Sequence, residues 1–253
     1  MIWEAKVRCR QTFLIAVIAM SLLASCAAES EQERIDQADF HYKLANGYFY
    51  ENQIVMALRE LTQSLELNPD HPDAHHLMGF VFFGRKEYAT AERHFRKALT
   101  LRGGFHEARS NLAAVLMATR RWAEAITVLD PLLSETLYAT PWVAHNNVAY
   151  CHAKLEHSSE ALRHYRLAIM HNPEFCLGYN NLGALYQTLG QADLAIEYLE
   201  RATARCGQYP EPHFHLGEIY AAMGELEQSR SAFRSCYQAA PQTPYGRRCR
   251  RRM

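Results

Sequence analysis

Between residues 38 and 243, apolar residues recur at spacings of three and four, and short polar segments interrupt them. This spacing is typical of amphipathic helices, which place such residues on one face. Pro69, Pro173 and Pro241 each follow one of these stretches and lie five residues after a small residue, which is Ser64, Ala168 and Cys236 respectively. Because proline cannot continue a helix, these three residues mark helix ends. The pattern predicts an all-α protein.

The pattern also repeats with a 34-residue period. Counting back from the three prolines gives repeats at 38–71, 72–105, 106–139, 142–175, 176–209 and 210–243, with two extra residues before 142. The eighth position of every repeat is small: Ala45, Gly79, Ala113, Ala149, Gly183 and Gly217. So is the twentieth: Ala57, Ala91, Ala125, Ala161, Ala195 and Ser229. The twenty-fourth is large: Leu61, Phe95, Leu129, Tyr165, Leu199 and Phe233.

Small residues at positions 8 and 20 let two antiparallel helices approach closely, and the larger residue at position 24 fills the space beside their crossing. The six repeats resemble the tetratricopeptide repeat (TPR) family, whose period is 34 residues. This resemblance implies two helices, A and B, in each repeat. One hairpin cannot bury its own apolar face, so the repeats are expected to stack into a right-handed superhelix.

Three residues depart from the repeat pattern. Gly103 and Gly207 replace the terminal proline in repeats two and five. We expect both to end their helices by adopting positive φ. Repeat three lacks this stop and has Pro131 near the middle of its second helix, where we expect a kink.

The first residues predict export. Lys6, Arg8 and Arg10 precede an uncharged, mostly apolar run at 12–24, which is typical of a signal peptide and too short to span a bilayer. Leu23, Ala24, Ser25 and Cys26 follow the pattern of the bacterial lipobox. This resemblance implies cleavage after residue 25 and acylation of Cys26, and the following Ala27 favours the outer membrane. The alternative is a secreted protein in which this cysteine is incidental.

The remaining segments outside the repeats are polar. Residues 26–37 are expected to form the lipidated start of the mature chain and a tether. The five arginines between residues 247 and 252, in the segment 244–253, form either a frayed basic tail or a contact with anionic lipid. Between these ends the body is acidic, which disfavours nucleic acid as a partner.

Helix A lines the inner face of TPR arrays, and in repeats one and two this face is rich in aromatic residues. Its residues are Tyr42, Asn46, Phe49, Tyr50, His76, Phe80 and Phe83. Exposed contiguous aromatic side chains indicate a binding surface, so we predict a groove for an apolar or amphipathic protein segment. The alternatives are that the tether or a preceding helix fills the groove, or that the aromatic rings pack among themselves.

The cysteines and histidines predict structure rather than catalysis. Cys176 begins helix A of repeat five and Cys206 ends its helix B, so the two can form a disulfide; the alternative is two free thiols. Cys151 and Cys236 fall at positions expected to be buried. Thirteen histidines, among them His71, His75 and His76, show no zinc-ligand pattern with acidic or thiolate partners. We therefore expect no metal, no cofactor, no small-molecule substrate and no catalytic residue.

A lipobox followed by six TPR repeats resembles the type IV pilus pilotin family, which comprises the PilF, PilW and Tgl proteins. The segment from Phe175 to Gly183 is most similar to the Tgl branch. The resemblance implies a lipoprotein on the periplasmic face of the outer membrane, anchored by its acyl chains. Its partner would be the pilus secretin, which it helps to assemble for pilus-dependent motility. The alternative is a TPR scaffold that presents a cell-envelope enzyme or complex.

Overall fold

The computed structural model describes residues 30–136 and 138–253, and this part of the chain consists of helices joined by turns. Cys26 and the predicted signal peptide lie outside the described residues. Among the helices that are described, none combines the length and the apolar character that crossing a membrane requires. The chain divides into two compact units, and the boundary in the sequence falls between Asn111 and Leu112.

The described part of the first unit contains four helices and the start of a fifth. They are α1 (30–50), α2 (Ile54–Leu67), α3 (Pro72–Gly84), α4 (Tyr88–Leu101) and α5 (His106–Ala118), which continues into the second unit. The second unit continues with α6 (Trp122–Leu133), α7 (Pro141–Lys154), α8 (Ser158–His171), α9 (Cys176–Thr188), α10 (Ala192–Arg205), α11 (Pro210–Met223), α12 (Leu226–Ala239) and α13 (Pro244–Arg250). The helices from α3 to α12 alternate as helix A and helix B of the repeat frame, within one residue at each helix A start.

The small residues at position 8 lie where the two helices of a repeat are closest. A Cβ atom on Gly183 would lie 2.6 Å from the Leu199 side chain, and one on Gly217 would lie 2.7 Å from the Phe233 ring. Leu199 and Phe233 occupy position 24 of their repeats and are almost fully buried. The pairing of a small with a large residue therefore sets the distance between helices A and B.

The turn from helix A to helix B has one residue with positive φ in every repeat, always at position 15. These residues are Asn52, Lys86, Arg120, Glu156, Gly190 and Gly224. Their N–H groups donate to carbonyls at the end of helix A; for example, the Lys86 N–H donates to the Phe83 carbonyl at 2.9 Å. A left-handed residue is a common way to end a helix, and here a polar or charged side chain takes that position in four of six repeats.

The turn from helix B to the next helix A uses extended backbone instead. Asn68, Arg102, Asn172 and Cys206 follow their helices with φ between −130 and −145. The carbonyl of each accepts a bond from the N–H three residues later, for example from Phe105 to Arg102 at 3.1 Å. The prediction for Gly103 and Gly207 is wrong, because neither has positive φ. The extended residue before each glycine already ends the helix.

The structure adds detail to two further expectations. Residues 30–37 of the expected tether are helical and belong to α1, where the Arg34 side chain donates to the Leu67 carbonyl at 3.0 Å. Pro131 lies in the last turn of α6 rather than in its middle. The helix ends two residues later at Leu133, and an irregular segment leads to α7.

The arginine-rich end is not frayed. Residues Pro244–Arg250 form α13, whose N-terminus is capped by the Thr243 hydroxyl accepting from the Gly246 N–H at 3.1 Å. A Cβ atom on Gly246 would lie 2.1 Å from the Ala240 carbonyl oxygen, so the helix start packs directly on the end of α12. Cys249 is fully buried.

Two disulfides lie within the second unit. Cys176 and Cys206 are bonded, with Cα atoms 6.3 Å apart, across the base of repeat five. Cys236 is buried as the sequence predicts, but it is also bonded to Cys249 of α13, which the sequence analysis did not foresee. Cys151 is a buried free thiol, and burial raises its pKa to about 12.

Candidate protein-binding groove

The predicted groove lies on the helix A face of repeats one and two, which is formed by α1 and α3. Tyr42, Asn46 and Phe49 follow one another on α1 at spacings of four and three, and His76, Phe80 and Phe83 do so on α3. Residues at such spacings share a helix face. Tyr50 and Phe80 are exposed, and the other five are partly buried.

An aromatic cluster formed by Phe49, Tyr50 and Phe80 occupies one end of this face. The Phe49 ring contacts Tyr50 and Phe80 edge to face, with centroids 5.9 and 5.6 Å apart. Phe49 also packs against the core of repeats one and two. Tyr50 is 79% exposed and Phe80 is 40% exposed. The cluster therefore combines a partly buried ring that packs against the core with two rings that present apolar area to solvent.

The other end of the face is more polar. Tyr42 packs on the ring of His71, with centroids 5.0 Å apart, and burial together with the nearby Asp73 carboxylate raises its pKa. His76 packs on Phe105, with centroids 4.7 Å apart. Burial lowers the pKa of His76, so its ring is neutral near pH 7. The Asn111 amide donates to its Nε2 at 2.9 Å.

An ion pair borders this polar end. The Arg102 guanidinium donates to both carboxylate oxygens of Asp73 and lies over the Phe105 ring, 4.5 Å from its centroid. The hydrogen bond from Arg102 orients Asp73 and raises the pKa of the arginine. The groove thus has an apolar end and a charged end, which suits an amphipathic segment.

The structure does not group all seven predicted residues equally. Phe83 shares a helix face with Phe80, but its ring packs on Tyr88 at the start of α4, with centroids 5.9 Å apart. Sequence reasoning also missed two exposed apolar residues of α1: Phe40 is 62% and Leu44 is 37% exposed. They occupy positions 3 and 7, which are buried in later repeats, so the repeat frame itself was the signal for them.

In repeat six the corresponding face is covered by the chain itself. Phe214, at position 5, contacts the Tyr245 ring of α13, and the Arg248 guanidinium lies 4.1 Å from the Phe214 centroid. Arg252 forms an ion pair with Glu218, at position 9, at 3.1 Å. The helix A face is therefore exposed in repeats one and two and covered in repeat six.

Antiparallel helical hairpins with small residues at their crossings define the chain as a TPR-repeat protein, a class that mediates protein–protein interactions. Tetratricopeptide repeat models match residues 82–136, 178–209 and 210–243.

Among proteins of known role, the chain is related to the type IV pilus assembly proteins PilF and PilW. It is 24% identical over 173 residues to "Type IV pilus assembly protein PilF" of Pseudomonas aeruginosa, covering 66% of this chain and 67% of that protein. The structure of PilW, described as a widely conserved type IV pilus biogenesis factor, superposes with a TM-score of 0.75 at 20% identity, covering 83% of this chain and 97% of PilW.

The P. aeruginosa PilF structure gives a TM-score of 0.71 at 18% identity, covering 87% of this chain and all of that one. These matches confirm the predicted all-α TPR superhelix fold. The human "Cell division cycle protein 16 homolog" is 27% identical over 157 residues, but the chain spans about a fifth of that protein, 21%. TPR similarity alone therefore does not determine a function.

Proposed function

We propose that this protein is an outer-membrane lipoprotein adaptor that binds secretin subunits and promotes their assembly into the type IV pilus pore. Pilus-dependent motility would then require it. The similarity to PilF and PilW, both named for type IV pilus assembly or biogenesis, supports a role in pilus assembly. The secretin as partner comes from the family resemblance of the lipobox and the repeats.

The exposed aromatic cluster formed by Phe49, Tyr50 and Phe80 is the observation that carries the binding proposal. Its rings contact one another across α1 and α3, and two of them present apolar area to solvent. An exposed apolar patch lowers solubility unless a partner covers it, and aromatic residues dominate the binding energy of protein interfaces. We propose that the groove binds an apolar segment of the secretin monomer. The groove would hold this segment until assembly takes it over.

The anchor belongs to the same proposal. Acylated Cys26 would hold the body at the inner surface of the outer membrane, because several acyl chains bind a membrane stably whereas one chain binds it only marginally. Cys26 lies outside the described residues. Mass spectrometry of the mature N-terminus tests this step, and an unmodified Cys26 would contradict it.

A pull-down of the secretin tests the groove. Tyr50→Asp and Phe80→Asp place charge in the exposed part of the cluster, so folding is retained and secretin capture should fall at least tenfold. Phe49 and Phe83 are less suitable, since both are partly buried and their substitution would also weaken the core. Val55→Asp is the matched control: Val55 is 80% exposed, lies on α2 outside the groove, and should not affect capture.

Two outcomes would contradict the proposal. Capture that is undiminished in the Tyr50→Asp, Phe80→Asp double variant would exclude the groove as the secretin site. Heat-resistant secretin multimers that form equally well in a deletion strain would exclude the assembly role. The second result would favour the alternative of a scaffold for an envelope enzyme or complex.

A further inference from the structure

The hairpin of α7 and α8 contains five histidines whose rings contact one another in a single cluster: His145, His152, His157, His164 and His171. The His145 ring contacts His164 and His171, with centroids 5.2 Å apart in both cases. The His152 ring contacts His157 at 5.7 Å and stacks on His164 at 5.9 Å. The groove of repeats one and two does not use these residues, so the proposed function leaves them unexplained.

The hydrogen bonds of His164 assign its protons. The Arg163 side chain donates from Nη2 to His164 Nε2 at 2.8 Å, so Nε2 carries a lone pair. The Nδ1 atoms of His164 and His145 are 2.9 Å apart, which makes His164 Nδ1–H the donor. Burial lowers the pKa of His145 and of His164 to about 4, and both rings are therefore neutral near pH 7.

Three groups of this hairpin present ligand atoms to one another. One atom each from His152, Glu160 and His164 lies within 4.8 Å of the other two. Tetrahedral zinc with bonds of about 2.0 to 2.1 Å places its ligand atoms roughly 3.3 Å apart. Side-chain rotation of His152 and Glu160 can close the remaining distance, because both are partly exposed.

The surroundings of these three groups also fit a metal site. A cavity of about 430 Å³, lined in part by His145, His152 and His164, gives access from solvent. The bond between His164 and His145 corresponds to the second hydrogen bond that orients most metal-ligating histidines. Neutral imidazole and carboxylate are both zinc ligands.

We propose that His152, Glu160 and His164 bind a divalent transition-metal ion of the zinc type, with water completing the coordination. This proposal departs from the expectation of no metal and is independent of the proposed secretin binding. Arg163 donates to Glu160 Oε2 at 2.7 Å as well as to His164, so its guanidinium occupies the position that the ion would take. The metal must displace Arg163, which therefore lowers the affinity of the site.

Repeat two provides a natural comparison. His75 and His94 have the same 19-residue separation as His145 and His164, the same 2.9 Å distance between Nδ1 atoms and a similar ring geometry. In repeat one the corresponding pair is His41 and Glu60, 2.7 Å apart. Among the described residues, only repeat four adds further ligands within reach of such a pair. A histidine pair alone does not make a site.

Equilibrium dialysis of the full-length protein against ZnCl₂, without a polyhistidine tag and under non-reducing conditions, tests the proposal. We expect the wild-type protein to bind one more zinc ion per chain than the His152→Gln, His164→Gln double variant. His152→Gln and Glu160→Gln should each weaken this binding at least tenfold. Arg163→Met should tighten it, because it removes the competing guanidinium. Replacement of Zn²⁺ by Co²⁺ should give the visible absorption of a tetrahedral cobalt site.

The control variant is His75→Gln, which changes the matched pair in repeat two and should leave zinc binding unchanged. His164 is buried, and its variants could unfold; His152→Gln and Glu160→Gln alter partly exposed side chains and keep the test valid if circular dichroism shows a folded protein. Equal zinc uptake by the wild type and the double variant would overturn the proposal. So would a loss of zinc in His75→Gln as large as that in His152→Gln.

Discussion

In repeat one the helix A face is open, whereas in repeat six the same positions are covered by α13. Phe49 and Tyr50 meet solvent at the first end of the array, and Tyr50 is 79% exposed. At the last end, Tyr245 and Arg248 pack on Phe214. Because α13 covers the helix A face of repeat six, the proposed partner binding is restricted to the exposed face of repeats one and two.

The stacking faces differ in the same way. Leu44 and Leu216 both occupy position 7 of their repeats, but Leu44 is 37% exposed and Leu216 only 6%. Leu216 packs into a cluster with Leu182 and Leu199 of repeat five. An interior repeat buries this position against its predecessor, and terminal repeats need a cap. The C-terminal end has such a cap in α13, with the Cys236–Cys249 disulfide.

The largest expected effect comes from removing the position 7 side chain at each end. Leu216→Ala leaves a cavity in packed surroundings and should lower the free energy of unfolding by about 3 to 4 kcal/mol. Leu44→Ala removes a side chain already in contact with solvent and should cost about 0.5 kcal/mol. Urea unfolding monitored by circular dichroism measures both. Equal losses would show that Leu44 is covered in solution, as Leu216 is by repeat five.

A smaller effect is expected from the C-terminal disulfide. Its cysteines are 13 residues apart, and a loop of about 15 residues closed by a disulfide is stabilised by about 3 kcal/mol. In the Cys236→Ser, Cys249→Ser double variant, the free energy that stabilises the docked position of α13 should fall by about 2 to 3 kcal/mol. Trypsin cleavage after Arg247 and Arg248 should then become faster, because the helix undocks more often.

The matched control for this experiment is the other disulfide. Replacing Cys176 and Cys206 by serine removes a bond in repeat five and should leave cleavage in α13 slow. Trypsin cleavage of α13 that is as slow in both double variants as in the wild type would show that packing on Phe214 and Phe233 holds α13 in place without the disulfide.

The repeat frame could be predicted from the sequence because it depends on local size. Gly183 and Leu199 must differ in volume for two helices to cross, and that requirement appears as a fixed spacing. The aromatic residues of the groove followed from the same frame. How far each ring is exposed did not, since Phe83 packs on Tyr88, a contact that depends on side-chain direction.

The parts that sequence reasoning missed depend on contacts between distant residues. Thr243 and Pro244 signal a helix start in retrospect, but the docking of α13 on Phe214 and the Cys236–Cys249 bond have no local signature. The histidine cluster is similar. Its ligands come from two helices, and a separation of 19 residues between His145 and His164 has meaning only once the hairpin is formed.

The smallest predicted effect concerns the turn from helix A to helix B, where the residue at position 15 differs between repeats. Asn52, Gly190 and Gly224 of repeats one, five and six favour the positive φ of this position, whereas Lys86, Arg120 and Glu156 of repeats two to four do not. A left-handed backbone costs such residues about 1 kcal/mol or more, which glycine avoids. Glycine also loses more entropy on folding, so the net gain from Lys86→Gly or Glu156→Gly should be about 0.5 kcal/mol each.

Gly224→Ala is the reciprocal change and should destabilise by about 1 kcal/mol, since alanine meets no neighbour there but must still adopt a φ of +80. Lys86→Gly and Gly224→Ala change equivalent positions and should shift the midpoint of urea unfolding in opposite directions. A Lys86→Gly variant that is less stable than the wild type would show that the entropy glycine loses on folding outweighs the strain of a left-handed lysine. The turns of repeats two to four would then be as well adapted to position 15 as those of repeats one, five and six.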